Sequence, residues 1–187
     1  MNILHLGGNC ISVPIGLGEI AVSGIDIIPS CELGGEYPMD ISLNIALIDR
    51  VAVVGTKNIN YNILQYISSQ SYNIIKVKQG YCKCSICIVD DGAIITDDEN
   101  IARALHNYLD VLLISKGNIE LKGYNYGFIG GTCGLIDKNL LAFTGNIEKH
   151  SDYDNIKSFL DNHGCDFVCL SDKNLVDIGG ILPLKTV

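Results

Sequence analysis

The sequence has no cluster of lysine and arginine anywhere along its 187 residues. Its 13 basic side chains are outnumbered by 21 acidic ones, leaving a net charge of -8. Such a surface repels phosphate backbones, so no nucleic-acid partner is expected. A basic leader is missing too. Residues 1–30 are apolar, but Gly, Pro, Asp and Glu interrupt them, which excludes a secretory signal pattern. No apolar run approaches the roughly 20 residues that a membrane-spanning helix needs. The expected address is therefore the cytoplasm, with no membrane partner. Nor does a linker or a shift in composition divide the chain. With 48% apolar residues, one domain over residues 1–187 with a sizeable core is expected.

The eight cysteines are Cys10, Cys31, Cys82, Cys84, Cys87, Cys133, Cys165 and Cys169. In a chain of this length without a leader they read as reduced thiols rather than a disulfide framework. Cys82, Cys84 and Cys87 raise the question of a metal. If 82–89 is a strand, Cys82 and Cys84 share one face and Cys87 points to the other. Three ligands then do not converge, and neither a metal nor a cofactor is expected.

Self-similarity is the strongest signal. Ile86 to Val89 reads as a strand, Asp90-Asp91-Gly92 as a hairpin turn and Ala93 to Ile95 as the return. Thr96 and Glu99 have capping-box spacing, with Thr96 as the expected N-cap of a short helix. Val111 to Ile114 is the closing strand. The pattern also runs from Ile45 to Val77, with a turn at Asp49-Arg50 and helical spacing at Ile59, Ile63, Leu64 and Ile67. It runs again from Gly134 to Leu170, where Ser151 is the expected N-cap and His163-Gly164 the helix stop. The N-terminal stretch supplies Cys10 to Val13 and Ile25 to Ile28 with a short or irregular helix between them. Leu175 to Leu184 supplies one strand of a further unit. The fold class is thus α/β, with repeated ββαβ units at about 1–36, 37–81, 82–126 and 127–174, and a partial one at 175–187.

A second repeat is superposed. Leu6-Gly7-Gly8, Leu33-Gly34-Gly35, Ile129-Gly130-Gly131 and Ile178-Gly179-Gly180 are each an apolar residue followed by two glycines. Glycine pairs permit tight strand entry, and they also let backbone approach a ligand at a shared site.

Repeated ββαβ units with Gly-Gly at the strand starts resemble the pentein fold, the propeller of guanidine-modifying enzymes with five units around a pseudo-fivefold axis. About four and a half units are present here. Residues 84–89, 93–96, 110–114 and Gly130-Gly131-Thr132-Cys133 look like the final unit of arginine deiminases, where a Gly-Gly-x-Cys segment carries the nucleophile. Lys78 to Tyr81, Lys83 to Val89 and Gly127 to Gly131 look, more closely, like an uncharacterised bacterial family of this fold. Leu6-Gly7-Gly8-Asn9 falls where such proteins have Gly-Gly-Asn after a His-x-Asp segment. Here Met1 stands at the start of that strand, so either the protein is short or its start lies upstream.

The resemblance implies a small guanidine or amidine ligand at a central site, with a thiolate attacking the guanidinium carbon and carboxylates holding its N–H groups. Cys133 is the candidate nucleophile, or else a small buried hydrophobe. Gly130, Gly131 and Asn9 are candidate ligand-lining positions. Asp40 either binds a cation or caps a strand entry; Pro38 stands where the enzymes have a proton-moving His. Asp177 resembles the acidic residue of their Glu-Gly-Gly segment, and Glu36, after Gly34-Gly35, is a weaker candidate of the same kind. His5 is a weak candidate for proton transfer. His150-Ser151-Asp152 reads as a helix start rather than a catalytic His-x-Asp, and His106 and His163 read as surface residues. The competing expectation is a non-catalytic binding protein acting through a protein partner. Edges exposed by an incomplete fifth unit would favour a homodimer.

Overall fold

Short hairpins closed by a helix and a third strand account for nearly all of the regular structure. The coordinates, a computed structural model, describe residues 3–7, 10–15, 24–30 and 32–183. These fall into two compact units, parted between Cys82 and Lys83.

The first unit holds two three-stranded sheets. In one, β1 (Leu4–Gly7) pairs antiparallel with β2 (Cys10–Val13), and β3 (Asp26–Pro29) lies parallel to β2. The short helix expected between β2 and β3 falls largely outside the described residues. In the other, β4 (Ala46–Ile48) and β5 (Val51–Gly55) form the hairpin. Helix α1 (Tyr61–Ser69) then returns the chain to β6 (Asn73–Val77), parallel to β5. Asp49 takes the positive φ of 43° that the tight turn demands. Asn60 caps α1 by accepting the Ile63 N–H at 3.1 Å, and the helix buries Ile63 and Ile67 against Leu43, Ala52 and Val54.

The second unit repeats this twice. One sheet is β7 (Ile86–Asp90), β8 (Ala93–Thr96) and, after α2 (Glu99–Leu105), β9 (Asp110–Leu113). The other is β10 (Cys133–Asp137), β11 (Leu140–Phe143) and, after α3 (Tyr153–Asn162), β12 (Asp166–Cys169). Each is an antiparallel pair extended by one parallel strand, because a crossover helix can only bring the chain back in the same direction. The middle strands are buried almost throughout, while the third strands β9 and β12 are half-buried or exposed. That is why Val51–Val54, Ala93–Ile95 and Leu140–Phe143 are continuous apolar runs. One core of Cys87, Val89, Ile95, Cys133, Leu141, Phe143, Ile156 and Leu160 lies inside this unit.

Some local expectations give way. Thr96 is not the N-cap of α2. Asp98 is, accepting the Asn100 and Ile101 N–H groups at 2.8 and 3.1 Å. Thr96 belongs to β8, and its hydroxyl instead donates to the Ser85 carbonyl at 2.7 Å and accepts the Asp98 N–H. At α3 the cap residue is Asp152, not Ser151, and its carboxylate accepts the Ser115 N–H. Gly164 does end α3, at φ +61°. Residues 82–85 form turns and β7 begins only at Ile86, so strand alternation does not govern Cys82 and Cys84. Between Leu175 and Pro183 there is no strand, only an isolated parallel bridge from Val176 to Glu120; Leu184 lies outside the described residues. His163 is not a free surface residue, because its ring bridges Asp90 and Asp110 at 2.8 and 3.1 Å. Among the described residues no helix is long and apolar enough to cross a membrane.

Candidate functional site

Ile129-Gly130-Gly131 is one 3-10 turn that feeds directly into β10. Its glycines are needed for packing. A Cβ on Gly130 would overlap the carbonyl oxygens of Lys83 and Ile86, and a Cβ on Gly131 would overlap the Asp177 carboxylate. The Gly131 N–H donates to the Cys84 carbonyl at 2.9 Å. Asp177 in turn accepts the N–H groups of Phe128 at 3.0 Å and Gly179 at 2.9 Å. The Ile178 N–H donates to the Gly131 carbonyl at 3.0 Å. Two of the four Gly-Gly segments therefore meet, joined by one carboxylate. Gly179 and Gly180, at φ +94° and +114°, supply the left-handed backbone that the Asp177 segment requires.

This turn places Cys133 at the start of β10, 1% exposed. Its Sγ lies 3.4 Å from the Ile129 carbonyl oxygen, and Cys87 and Cys165 share its core. A hydrogen bond from the Cys87 thiol draws the Cys133 pKa down. Burial opposes that, the Lys83 charge and Thr132 assist it, and Asp177 works against it. Cys87 is pushed well up, first by the same hydrogen bond, then by burial and by charge on Cys133. Within the pair the shifts favour ionisation of Cys133 over Cys87. Lys83, 9% exposed, is a cation that the sequence analysis did not single out.

Asp97 was also missed. It follows β8, is 3% exposed, and its Oδ1 has no hydrogen-bond partner among the described residues. Burial raises its pKa to about 6; Lys116 and its own backbone N–H temper the shift, while Asp98 and Asp177 add to it. The signal was present, since Asp97-Asp98 follows an apolar strand, but the two lie inside the segment read as a Thr96–Glu99 capping box.

The remaining candidates belong to the first unit. Asp40 accepts the Tyr81 hydroxyl at 2.7 Å, and its Oδ1 is buried without a partner among the described residues. It follows a cis Tyr37–Pro38 bond whose Pro38 carbonyl accepts the Asn58 amide at 2.7 Å. Glu36 is exposed. His5 lies on β1 opposite Ile11, half-buried, and burial lowers its pKa. Asn9 lies outside the described residues. Among the described residues no group of three or more His, Cys, Asp or Glu side chains is placed to hold a metal ion.

Solved structures similar to the chain include the following three. The inosamine-phosphate amidinotransferase of Streptomyces griseus is similar over 84% of this chain and 53% of its own, with a TM-score of 0.49 and 13% identity. For the agmatine deiminase of C. jejuni the corresponding figures are 68%, 49%, 0.38 and 16%. For an amidinotransferase of the saxitoxin biosynthetic pathway from Microseira wollei they are 87%, 60%, 0.45 and 10%. The chain spans 49% to 60% of their length. No curated protein sequence matches it. Residues 17–182 match a family of unknown function (DUF6873), and with most of its length inside that match the chain belongs to this family.

Proposed function

We propose that this protein is pentein-like, with about four and a half ββαβ units arranged around a pseudo-fivefold axis, and that it binds and modifies a small guanidine or amidine compound through Cys133. The observation that carries the reading is the state of Cys133 on its Gly-Gly turn. Cys87 and Lys83 favour its thiolate, and Asp177 is docked against the same turn. The chemistry needs a thiolate to attack the electron-poor guanidinium carbon, forming a C–S bond as an amine departs. It also needs carboxylates to accept guanidinium N–H bonds. Asp97, with a buried oxygen lacking a partner among the described residues, is better suited to that than Asp177, whose two oxygens already serve backbone N–H groups.

A second reading has its own support. At 1% exposure Cys133 is shielded from a substrate, as a core thiol of a non-catalytic binding protein would be. That protein would act through a protein partner or as a homodimer joined at unpaired sheet edges.

Alkylation by chloroacetamidine, read residue by residue by peptide mass spectrometry, decides between them. The enzyme reading requires Cys133 to react about tenfold or more faster than Cys10 or Cys165, whose thiols burial holds above the ordinary range. It also requires Lys83→Met to slow Cys133 several-fold. If Cys133 reacts no faster than Cys10, the enzyme reading fails.

A further inference from the structure

Cys133 is 1% exposed, so a substrate reaches its thiol only after part of the surrounding structure moves. The chain on either side of Asp177 differs in how firmly it is held. Before Asp177 it is fixed. Leu175 is 2% exposed and belongs to the core around Cys133. The Glu120 N–H donates to the Leu175 carbonyl and the Asp177 N–H to the Glu120 carbonyl, both at 2.8 Å. The Thr144 hydroxyl donates to the Val176 carbonyl at 2.8 Å.

Beyond Asp177 the hold changes. Residues 178–183 run against the start of β10 and meet it through backbone. The Ile178 N–H donates to the Gly131 carbonyl at 3.0 Å and the Ile181 N–H to the Cys133 carbonyl at 3.1 Å. A Cβ on Gly134 would lie 1.9 Å from the Ile181 carbonyl oxygen, so this segment rests directly on the strand. The glycines that flank Cys133 thus both make room for it, Gly131 for Asp177 and Gly134 for Ile181. Little side-chain burial secures the contact. Ile178 is 64% exposed, Gly179 and Gly180 have no side chain, and residues 181–183 are only half-buried. A segment held by a few backbone hydrogen bonds, with little apolar area buried, opens at low cost.

We propose that residues 178–183 form a strap, anchored by Leu175 to Asp177, that closes on the Cys133 turn and lifts from β10 to admit substrate. Closed, it keeps the turn paired on that side and shuts water out between reactions. Lifted, it gives the Ile178 and Ile181 N–H groups to water and frees the Gly131 and Cys133 carbonyls. The inference rests on the reading of Cys133 as a nucleophile. Access to the thiol and preference for a guanidine-like reagent are nevertheless separate quantities, and different reagents measure them.

The test combines hydrogen exchange by NMR with alkylation by iodoacetamide, which has no guanidine-like group and forms a C–S bond as iodide leaves. In the unaltered full chain the Ile178 and Ile181 amides are expected to exchange about tenfold or more faster than the Thr144 N–H, which donates to the Thr132 carbonyl at 2.8 Å beside the same turn. Gly180→Ala puts a side chain at φ +114°, which strains the closed strap and adds no charge near Cys133. It is expected to speed iodoacetamide labelling of Cys133 about fivefold or more, while Cys165, 4% exposed in the same core, stays within about twofold. Should Gly180→Ala not fold, exchange in the unaltered chain decides the matter alone. The proposal is overturned if Ile178 and Ile181 exchange as slowly as Thr144, if Gly180→Ala leaves the Cys133 rate unchanged, or if Cys133 and Cys165 accelerate together. Preference of Cys133 for chloroacetamidine can fail while these results hold, and the reverse, so the two readings fail separately.

Discussion

Replacing Gly131 with alanine tests the packing account of the Gly-Gly turn at its tightest point. The three atoms nearest the added Cβ all belong to the Asp177 carboxylate, and even its farther oxygen would lie 2.7 Å away. The carboxylate must therefore leave. In leaving, it gives up the N–H groups of Phe128 at 3.0 Å and Gly179 at 2.9 Å. Hydrogen bonds to a charged acceptor contribute about 1.5–3 kcal/mol each, part of which water recovers at a half-buried site. A destabilisation of about 2–4 kcal/mol is expected for Gly131→Ala. Asp177→Ala should cost a similar amount for the same reason. In the double variant the obstructing side chain is gone, so adding the methyl should cost less than about 1 kcal/mol, a coupling of roughly 2 kcal/mol. Urea unfolding of the four proteins measures this cycle. Gly35→Ala is the control, because a Cβ there meets nothing within 4 Å. If Gly131→Ala costs the same with and without the Asp177 carboxylate, the account is wrong and the glycine serves some other need.

Other outcomes follow from single groups. Asp97 has a folded pKa of about 6 against an ordinary 3.8, so between these values the folded state holds a proton that the unfolded chain has lost. Its burial then costs about 3 kcal/mol above pH 6.5, an amount that shrinks as pH falls through 6 toward 4. Asp97→Asn should accordingly raise the urea midpoint at pH 7.5 and flatten its dependence between pH 4 and 6; an unchanged pH profile would count against the buried carboxylate. Asp98→Ala removes both cap bonds of α2 and should cost about 1–2 kcal/mol, whereas Glu99→Ala, at an exposed position, should cost under about 0.5 kcal/mol. Thermal melts would separate that pattern from a Thr96–Glu99 capping box, which requires Glu99 to matter.

Much of the fold was legible because its elements are specified locally. Asp49-Arg50 and Asp90-Asp91-Gly92 can close hairpins whatever surrounds them, and the apolar runs between such turns mark the middle strands. Gly164 stops α3 by backbone freedom alone. The helix starts were misjudged by one or two residues because Thr96-Asp97-Asp98 and Ser151-Asp152 each offer several capping side chains in a row. The tertiary environment chose among them: the Ser85 carbonyl drew the Thr96 hydroxyl into β8 and freed Asp98 to cap.

The sequence by itself therefore determined the repeating ββαβ units and the Gly-Gly-x-Cys segment that carries Cys133. It did not determine what those glycines are for, what state that cysteine is in, or which other groups surround it. Those depend on residues distant along the chain. The Asp177 carboxylate reaches back 46 positions to exclude a Cβ at Gly131, and a hydrogen bond from the Cys87 thiol, on another strand, draws the Cys133 pKa down. Burial, which no local pattern reports, raises the pKa of Asp97 and leaves the His150 Nε2 without a hydrogen-bond partner among the described residues. Turn chemistry and hydrophobic period act between neighbours in sequence. Desolvation and thiol pairing act between neighbours in space, and only the folded chain brings those together.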